Sequence, residues 1–292
     1  MFRIRIQNKK KCIWYCSAVV SFLLFLLLLG WTNHLANTQD AQQMAGRWSE
    51  KKDVAQISCF FSSKAEVTED TIQSFEYSLK NVLQEASITE TSENPSARLW
   101  VDAYSADGKI TLVNGKNTLD ANAIGIGGDF FMFHPLKLIT GAYFSGNDLM
   151  QDYCIIDQDA AWQLFGSNDV VGMTVYIGNV PHIVTGVVQR PDSRMDKAAG
   201  LNSTVVYVSY ETLSAYGTNN GINHYEIVMP NPVDEFAYGK VKEGIGIDEK
   251  NVEIVENSRR YSLPNRIKTI LAFGTRSMNG KAIIYPYWEN LA

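Results

Sequence analysis

Residues 13–31 of this 292-residue chain read IWYCSAVVSFLLFLLLLGW and contain no charged side chain. A helix rises about 1.5 Å per residue, so the stretch spans roughly 28 Å, which is close to the hydrocarbon thickness of a bilayer. Trp14 and Trp31 lie near its two ends, where amphipathic rings favour the headgroup layer. The stretch therefore predicts a transmembrane helix.

The residues before this stretch decide its predicted orientation. Residues 1–12 contain no acidic side chain and five basic ones, namely Arg3, Arg5, Lys9, Lys10 and Lys11. A positively charged flank stays in the cytoplasm, so residues 1–12 are predicted to be a cytoplasmic segment. We expect a single-pass protein of the cell membrane, with everything after Trp31 on the outer side.

A cleaved secretory signal is the alternative interpretation of the N-terminal region. The apolar core of a signal usually has about 7–15 residues and is followed by a small-residue cleavage site. Here the apolar run is longer, and Leu-Ala-Asn at 35–37 is a weak cleavage context. Cys12 and Cys16 precede the apolar core, so neither has the position of a lipoprotein cysteine. An uncleaved anchor is favoured.

Charge and cysteine content limit the possible functions and disulfides of the chain beyond the predicted membrane helix. The net charge is −5 and the first eleven residues carry +5, so the remainder carries −10. This acidity argues against nucleic-acid binding, which needs basic patches. Only Cys59 and Cys154 lie outside the membrane region, in separate predicted strands, so a disulfide scaffold is not indicated. A single bridge between these two cysteines is left open.

The first β-α-β pattern follows a polar segment at residues 32–56, which we interpret as a stalk or a helical continuation. A strand is predicted at 57–62, then a helix capped by Thr68, then a strand at 99–104. Asp-Gly and Asn-Gly pairs at 107–108 and 114–115 indicate turns around a short hairpin-like stretch.

A second β-α-β pattern lies near the C-terminus. It combines a strand at 225–229, a helix beginning at Pro232 and a strand at 251–255. Two such units usually share one sheet with both helices on one side, in the split-βαβ arrangement. The tail is predicted to form a helix within residues 266–273 and a closing apolar run at 283–288.

The middle third of the chain is rich in β-forming residues. Asp157 or Asp159 is expected to cap a short helix that Gly166 ends. Two β-branched runs around the Gly-Asn pair at 178–179 predict an antiparallel hairpin. The other predicted elements are a glycine-loosened strand leading into aromatic residues at 123–133, strands at 154–157 and 204–209, a polar loop at 189–200 and a helix from Tyr210.

These patterns predict an α+β fold behind one N-terminal transmembrane helix. The predicted parts are a cytoplasmic segment 1–12, the transmembrane helix 13–31, a stalk 32–56 and an extracytoplasmic domain 57–292. Within that domain, 57–115 and 204–292 form the mixed α/β part with the two β-α-β units, and 116–203 form an inserted β-rich subdomain.

A search for chemistry in the sequence finds no catalytic, cofactor or metal site. The Gly-Ile-Gly-Gly-Asp run at 125–129 lacks the third glycine of a dinucleotide fingerprint and is interpreted as a kinked strand. Ser145 lacks the nucleophile-elbow pattern and is interpreted as a turn or cap residue. No enzymatic activity is expected.

The histidines and clustered aspartates give no ligand pattern either. His34, His134, His182 and His224 are scattered, without i, i+4 spacing or a neighbouring cysteine, so a zinc site is not predicted. We interpret His134 and His182 as loop or strand-end residues. Asp152, Asp157 and Asp159 lack the closing glutamate of a Ca²⁺ loop, and helix capping explains the last two better.

Several segments of the middle third, taken in order, resemble a known family. They are Gly-Asp-Phe-Phe at 128–131, the run 136–141 with Tyr143-Phe144, AAWQLFG at 160–166, VGMTVYI at 171–177 and IVTGV at 183–187. Their order and spacing resemble the MacB-type periplasmic core domain of MacB/FtsX-like ABC transporter permeases, over roughly residues 14–188. Met173 stands where that family usually has lysine.

The resemblance implies an architecture and partners. In that family the domain lies after the first membrane span and combines an α/β subdomain with a β-rich insertion, and three more spans follow. The permeases dimerise and bind a cytoplasmic ATPase, whose ATP-driven changes move the outer domains. The resemblance thus implies a permease subunit or its N-terminal fragment, with the lipid bilayer, a separate ATPase and a homo- or heterodimeric permease as partners.

Two other interpretations of the function are kept open. The first is a stand-alone, single-span binding or sensor module outside the membrane, which needs no ATPase. The second is an anchored extracytoplasmic enzyme, which requires a convergent polar pocket that no sequence motif indicates.

Overall fold

The computed structural model describes residues 9–49, 53–89, 98–201, 203–272 and 281–291. The chain forms two compact units, Met1–Gln39 and Asp40–Ala292. The helices are α1 Lys9–Asn37, α2 Met44–Trp48, α3 Glu69–Glu85, α4 Phe130–Phe133, α5 Gln158–Phe165, α6 Arg194–Ala199, α7 Tyr210–Tyr216, α8 Phe236–Gly244, α9 Asn257–Arg260, α10 Leu263–Leu271 and α11 Tyr287–Leu291. The strands are β1 Val54–Phe61, β2 Val101–Asn114, β3 Asn117–Gly128, β4 Leu138–Gly141, β5 Tyr153–Asp157, β6 Thr174–Ile177, β7 Val180–Val188, β8 Val205–Ser209, β9 Thr218–Asn219, β10 His224–Pro230 and β11 Val252–Glu256.

The first unit is built around α1. Its segment Ile13–Asn37 is the one helix among the described residues that is long and apolar enough to cross a membrane. Most of the large apolar side chains of this segment are exposed, as expected for a helix whose partner is lipid. The helix is longer than the predicted span at 13–31, because helical structure continues to Asn37.

The two predicted β-α-β units share one antiparallel array in the second unit. Strand order is β11-β1-β10-β2, and β10 is antiparallel to both β1 and β2. Strands β1 and β2 are therefore parallel with β10 between them, and β10 and β11 are parallel with β1 between them. This is the split-βαβ arrangement that the sequence predicts.

Helices α3 and α8 cover one face of this array. Thr68 caps α3 as predicted. The apolar stripe of this helix, formed by Ile72, Phe75 and Leu79, is buried. Helix α8 begins at Phe236, so the prediction that it starts at Pro232 is wrong. Glu235 has a left-handed backbone with φ of 65°, and helical geometry begins only after it.

The longest strands, β2 and β3, form a hairpin closed at Asn114–Asn117. The Asn-Gly turn at 114–115 is confirmed, but the predicted turn at 107–108 is wrong because β2 runs straight through it. Gly108 serves a different purpose there. A Cβ at this position would lie 2.3 Å from the carbonyl oxygen of Thr218, so glycine allows β9 to pair closely with β2.

The middle third continues the same sheet in the order β3-β8-β5-β7-β4. Asp157 caps α5 by accepting the Ala160 N–H at 2.8 Å, and Gly166 ends the helix with φ of 74°, as predicted. Strands β6 and β7 form the predicted hairpin. The predicted loop at 189–200 instead contains α6, which Ser193 and Asp196 cap reciprocally.

Both faces of the central strands are buried. One face packs under α3 and α8, and the opposite face packs under α2, α4 and α11 through an aromatic core that includes Phe130, Phe133 and Trp288.

The predicted strand at 123–133 ends at Gly128, because its aromatic end forms α4. Helix α10 corresponds to the predicted tail helix, whose last residue, Phe273, lies outside the described residues. Met44 and Ala45, from the segment predicted as a stalk, belong to the aromatic core.

Candidate functional site

Strand β10 brings two polar side chains to the aromatic face of the sheet. His224 and Glu226 are separated by one residue, so they point to the same face, opposite Ser105 and Ala103 of β2. Strand β1 lies on the other side of β10 and places Ser58 opposite Glu226. His224 and Glu226 are both almost fully buried, with relative exposures of 1% and 2%.

A third side chain reaches this position from the end of α4. The N–H of His134 donates to the carbonyl of Phe130 at 2.9 Å, which holds the histidine against the helix. Arg47 fixes the same helix end by donating to the carbonyls of Met132 at 2.6 Å and Phe133 at 3.2 Å. His134 is 3% exposed and lies over β10.

Trp288 of α11 covers the cluster formed by His134, His224 and Glu226. Its ring centroid lies 4.1 Å from that of His134 and 5.2 Å from that of His224. Arg260 fastens α11 through a bidentate ion pair with Glu289, with both N–O distances at 2.7 Å. The cluster is thus closed off from solvent by the C-terminal helix.

The three side chains approach one another closely. Nε2 of His134 lies 2.8 Å from Oε2 of Glu226, and Nε2 of His224 lies 3.5 Å from Oε1. Ser58 donates to Oε1 of Glu226 at 2.6 Å, and Asn257 donates to Ser58 at 2.7 Å. On the far side of its ring, Nδ1 of His224 lies 3.4 Å from the hydroxyl of Ser105.

The electrostatics of the cluster favour an ionised Glu226. Burial alone would raise the pKa of this carboxyl, but the nearby imidazoles of His224 and His134 together hold its pKa well below the usual range. Burial lowers the pKa of His134, against the opposing pull of the Glu226 carboxylate. The arrangement is a buried anion between two imidazoles, which are residue types that both exchange protons and bind metal ions.

Several polar atoms of the cluster have no hydrogen-bond partner within the described part of the chain. They are both ring nitrogens of His134, Nε2 of His224, Oε2 of Glu226 and Nε1 of Trp288. Buried polar groups in folded proteins are nearly always paired with protein, ordered water or an ion. Nε2 of His134, Nε2 of His224 and the carboxylate of Glu226 face one another, which makes this cluster the candidate site.

The glycine-rich run at 125–129 is a packing feature of β3. A Cβ on Gly127 would lie 2.0 Å from the Tyr104 ring, and one on Gly125 would lie 2.7 Å from Leu213. Ser145 is a turn residue whose hydroxyl accepts the Asn147 N–H at 3.1 Å. Gly125 and Gly127 thus allow close packing along β3, and Ser145 lies in a turn.

The other sequence candidates do not join the cluster. His182, in β7, has both ring nitrogens 3.0 Å from partners, the Val180 carbonyl and the Thr212 hydroxyl. Asp157 and Asp159 both pair with Arg190 beside α5. His34 lies in α1.

The two cysteines of the second unit are buried thiols with raised pKa values. Cys59 and Cys154 are free and buried, so no bridge joins them. Burial raises the pKa of Cys59 and raises that of Cys154 to about 12. Neither thiol belongs to the candidate site.

Sequence reasoning missed the cluster. The sequence predicts His134 as a loop or strand-end residue, and it lies in the bend directly after α4, packed against Phe130 and Trp288. The only local signal is His-x-Glu on β10, which by itself indicates a polar strand face open to water. His134 is distant in sequence, so no spacing rule connects it with His224.

A comparison with protein families identifies the chain. The model of the MacB-like periplasmic core domain matches residues 21–254, which is most of the sequence. The chain belongs to the MacB-like periplasmic core domain family. This family occurs in ABC transporter permeases, in agreement with the predicted resemblance and with the candidate membrane helix α1.

Relatives in this family include named export proteins. The macrolide export ATP-binding/permease protein MacB of Chromobacterium violaceum is 32% identical over 99 residues, which are 33% of this chain and 15% of the relative. MacB of Neisseria gonorrhoeae is 33% identical over 85 residues, covering 28% of this chain and 13% of the relative. The match thus spans only a small part of the length of these relatives.

Solved structures of similar domains were also found. One is the extracellular domain of the noncanonic ABC-type transporter YknZ from Gram-positive bacteria, with 18% identity, a TM-score of 0.45 and coverage of 68% of this chain and 99% of that chain. Another is the periplasmic region of MacB from Actinobacillus actinomycetemcomitans, with 19% identity, a TM-score of 0.44 and coverage of 74% and 92%.

Proposed function

We propose that this chain is the membrane-anchored permease subunit of an ABC transporter, or its N-terminal part, and that its outer domain transmits ATP-driven conformational change to a partner or cargo. The observation that carries the proposal is the family match over residues 21–254, which begins within the membrane helix and continues through both parts of the sheet. A periplasmic core domain directly after a span is what a permease of this family requires.

The basic flank of the membrane helix supports an N-terminus in the cytoplasm. Residues 3–11 carry five positive charges, and the chain beyond them is acidic. In this orientation the second unit, Asp40–Ala292, lies outside the membrane. ATP hydrolysis then belongs to a separate subunit on the cytoplasmic side, and the chain itself performs no catalysis.

The sheet topology supports mechanical transmission through the outer domain. Strand β2 pairs with β10 through residues 101–105 and with β6 through Leu112 and Val113. Strand β3 joins the same hairpin to β8 in parallel register. A force applied on the β10 side or on the β6 and β8 side of the β2–β3 hairpin would therefore pass through backbone hydrogen bonds rather than through a flexible linker.

The first experiment determines whether an ATPase partner exists and moves the domain. DNA downstream of codon 292 is sequenced, and the complete reading frame is expressed and purified from membranes in mild detergent. We expect three further apolar spans and a co-purifying ABC ATPase. If the reading frame encodes no further span and no ATPase co-purifies, the result would favour the stand-alone binding or sensor module.

A spectroscopic label tests the movement itself. Leu149 is fully exposed, so Leu149→Cys in a background lacking Cys12 and Cys16 offers an accessible thiol, while Cys59 and Cys154 are buried. Spin labels on two copies within the complex should change their separation when ATP is added. An unchanged separation during measurable ATP hydrolysis would contradict transmission through this domain.

The same variant tests the orientation. In spheroplasts, a membrane-impermeant maleimide should label Leu149→Cys. A matched Gln7→Cys variant in the same background should be labelled only after the membrane is permeabilised. The reverse labelling pattern would contradict the proposed topology.

A further inference from the structure

We propose that His134, His224 and Glu226 bind a divalent transition-metal ion, with Zn²⁺ as the occupant. Each residue offers a ligand atom, and these atoms all lie within 4.8 Å of one another at a buried position. Two imidazoles and one carboxylate form a donor set that Zn²⁺ uses in proteins, with a water molecule in the fourth tetrahedral position. The inference does not depend on the proposed transporter function.

The distances in the cluster suit a small tetrahedral ion. Zinc binds histidine nitrogen and carboxylate oxygen at about 2.0–2.2 Å, so two ligands of a tetrahedral site lie roughly 3.4 Å apart. Nε2 of His134 lies 2.8 Å from Oε2 of Glu226, and Nε2 of His224 lies 3.5 Å from Oε1. With one donor atom from each residue, all three lie within 4.8 Å of one another, so one ion between them would need only a modest closing of the cluster.

The facing donor atoms of the cluster also suit a cation. Nε2 of His134 and Oε2 of Glu226 lie 2.8 Å apart, and Nε2 of His224 lies 3.5 Å from the other oxygen, but none of these three atoms has a partner in good hydrogen-bond geometry within the described part of the chain. One cation could coordinate all three residues at once, in place of these imperfect ion pairs.

An outer shell already orients two of the three donors. Ser58 donates to the second oxygen of Glu226, and Asn257 in turn donates to Ser58. The Ser105 hydroxyl lies beside Nδ1 of His224, which favours Nε2 as the metal-binding nitrogen. Proteins hold metal ligands in place with outer-shell contacts of this kind.

Burial suggests what the ion does. All three donors are almost completely buried, and Trp288 covers them, so a substrate has no evident approach. The ion would join β10 to the end of α4 beneath α11. We therefore infer a structural ion that fastens the aromatic layer to the sheet.

The test uses the full chain without a histidine tag, purified in detergent from cells grown with added zinc. Elemental analysis should find about one zinc per chain. After zinc is removed by a chelator during unfolding, refolding with Co²⁺ should produce the visible absorption bands of tetrahedral cobalt. Absence of both the zinc and the tetrahedral bands from the wild-type chain would overturn the proposal and leave a metal-free buried ion pair.

Matched variants assign the ligands. His224→Gln and Glu226→Gln retain similar size and polarity and should weaken Zn²⁺ binding at least about 100-fold. His182→Gln, a buried histidine outside the cluster, should retain full binding. If the two cluster variants keep wild-type affinity, the metal lies elsewhere and the proposal is wrong. If a cluster variant fails to fold, the wild-type cobalt spectrum still gives the decisive answer.

Discussion

At the scale of single residues, the second unit buries several ionisable groups whose neighbours decide their charge. Glu76 of α3 lies beside Asp102 of β2, which also accepts a hydrogen bond from the Tyr225 hydroxyl at 3.0 Å. Burial, followed by the repulsion from Asp102, raises the pKa of Glu76 to about 8. Two carboxyl groups this close hold one proton more readily than two negative charges.

The Glu76–Asp102 pair predicts a pH dependence of stability. Between the ordinary glutamate pKa of 4.5 and about 8, the folded chain holds a proton that the unfolded chain has released. Stability is therefore fully present at low pH and falls as pH rises through this window. Because Glu76 is partly open to solvent, we expect a loss of about 1–2 kcal/mol. Urea unfolding of the full chain at pH 5 and pH 8 measures it.

A matched pair of variants checks the assignment to Glu76. Glu76→Gln should abolish the decline in stability between the two pH values, because glutamine keeps the shape and loses the proton. Glu85→Gln changes an exposed glutamate at the end of the same helix and should leave the decline unchanged. If stability declines equally in the wild type and in both variants, the pH dependence belongs to groups other than Glu76.

The buried histidine cluster shows where sequence reasoning at this scale ends. His224 and Glu226 alternate with the apolar residues Tyr225 and Ile227, a pattern that normally indicates one strand face in water. Here both faces of β10 are covered, so the polar alternation lies inside the protein. What covers the second face is α4 and Trp288, and sequence spacing does not link those segments to β10.

At the scale of elements, local signals predicted most of the structure and failed where tertiary contacts override them. The cap at Thr68 and the Asn-Gly turn at 114–115 are local features and agree with the prediction, and of the two predicted cap residues Asp157 and Asp159 the structure selects Asp157. The Asp-Gly pair at 107–108 has the same composition as a turn, but pairing with β3 and β9 keeps it extended. Turn residues thus indicate a turn only when no partner strand extends alongside them.

Asp157 connects three elements, so its removal should cost more than the loss of a helix cap. Its oxygens accept the N–H of Ala160 at 2.8 Å and of Val205 at 2.9 Å, and one also pairs with Arg190. Asp157→Ala leaves two buried N–H groups without acceptors. We expect a loss of about 2–4 kcal/mol in the free energy of unfolding, measured with urea.

Asp159 provides the control for this prediction. It pairs with the same Arg190, but its side chain is 44% exposed and caps nothing in the described structure. Asp159→Ala should therefore cost less than about 1 kcal/mol. Comparable losses in the two variants would mean that the ion pair, rather than the cap, carries the stability.

At the scale of the whole molecule, the sequence predicts two subdomains, and the structure joins their strands in one sheet. Strands β3 to β7 lie within 116–203, the segment predicted as an inserted β-rich subdomain, and they belong to the same unit as the rest of the sheet. Sequence periodicity cannot show that β2 and β3 extend through both predicted subdomains, because local spacing carries no information on which distant strands pair. This continuity is what the proposed transmission of force requires.

Continuity of the sheet predicts that damage in one part loosens the other. Gly127 lies opposite Tyr104, and the Cβ of Gly127→Ala would lie 2.0 Å from that ring. Hydrogen exchange of the full chain, followed by mass spectrometry, should then become faster both in β10 and in β7, on the two sides of the hairpin. Gly46→Ala, with nothing within 4 Å of its new Cβ, should change neither strand. Faster exchange confined to one side would mean that the two parts open independently, and a domain that opens in this way could not carry force across its sheet.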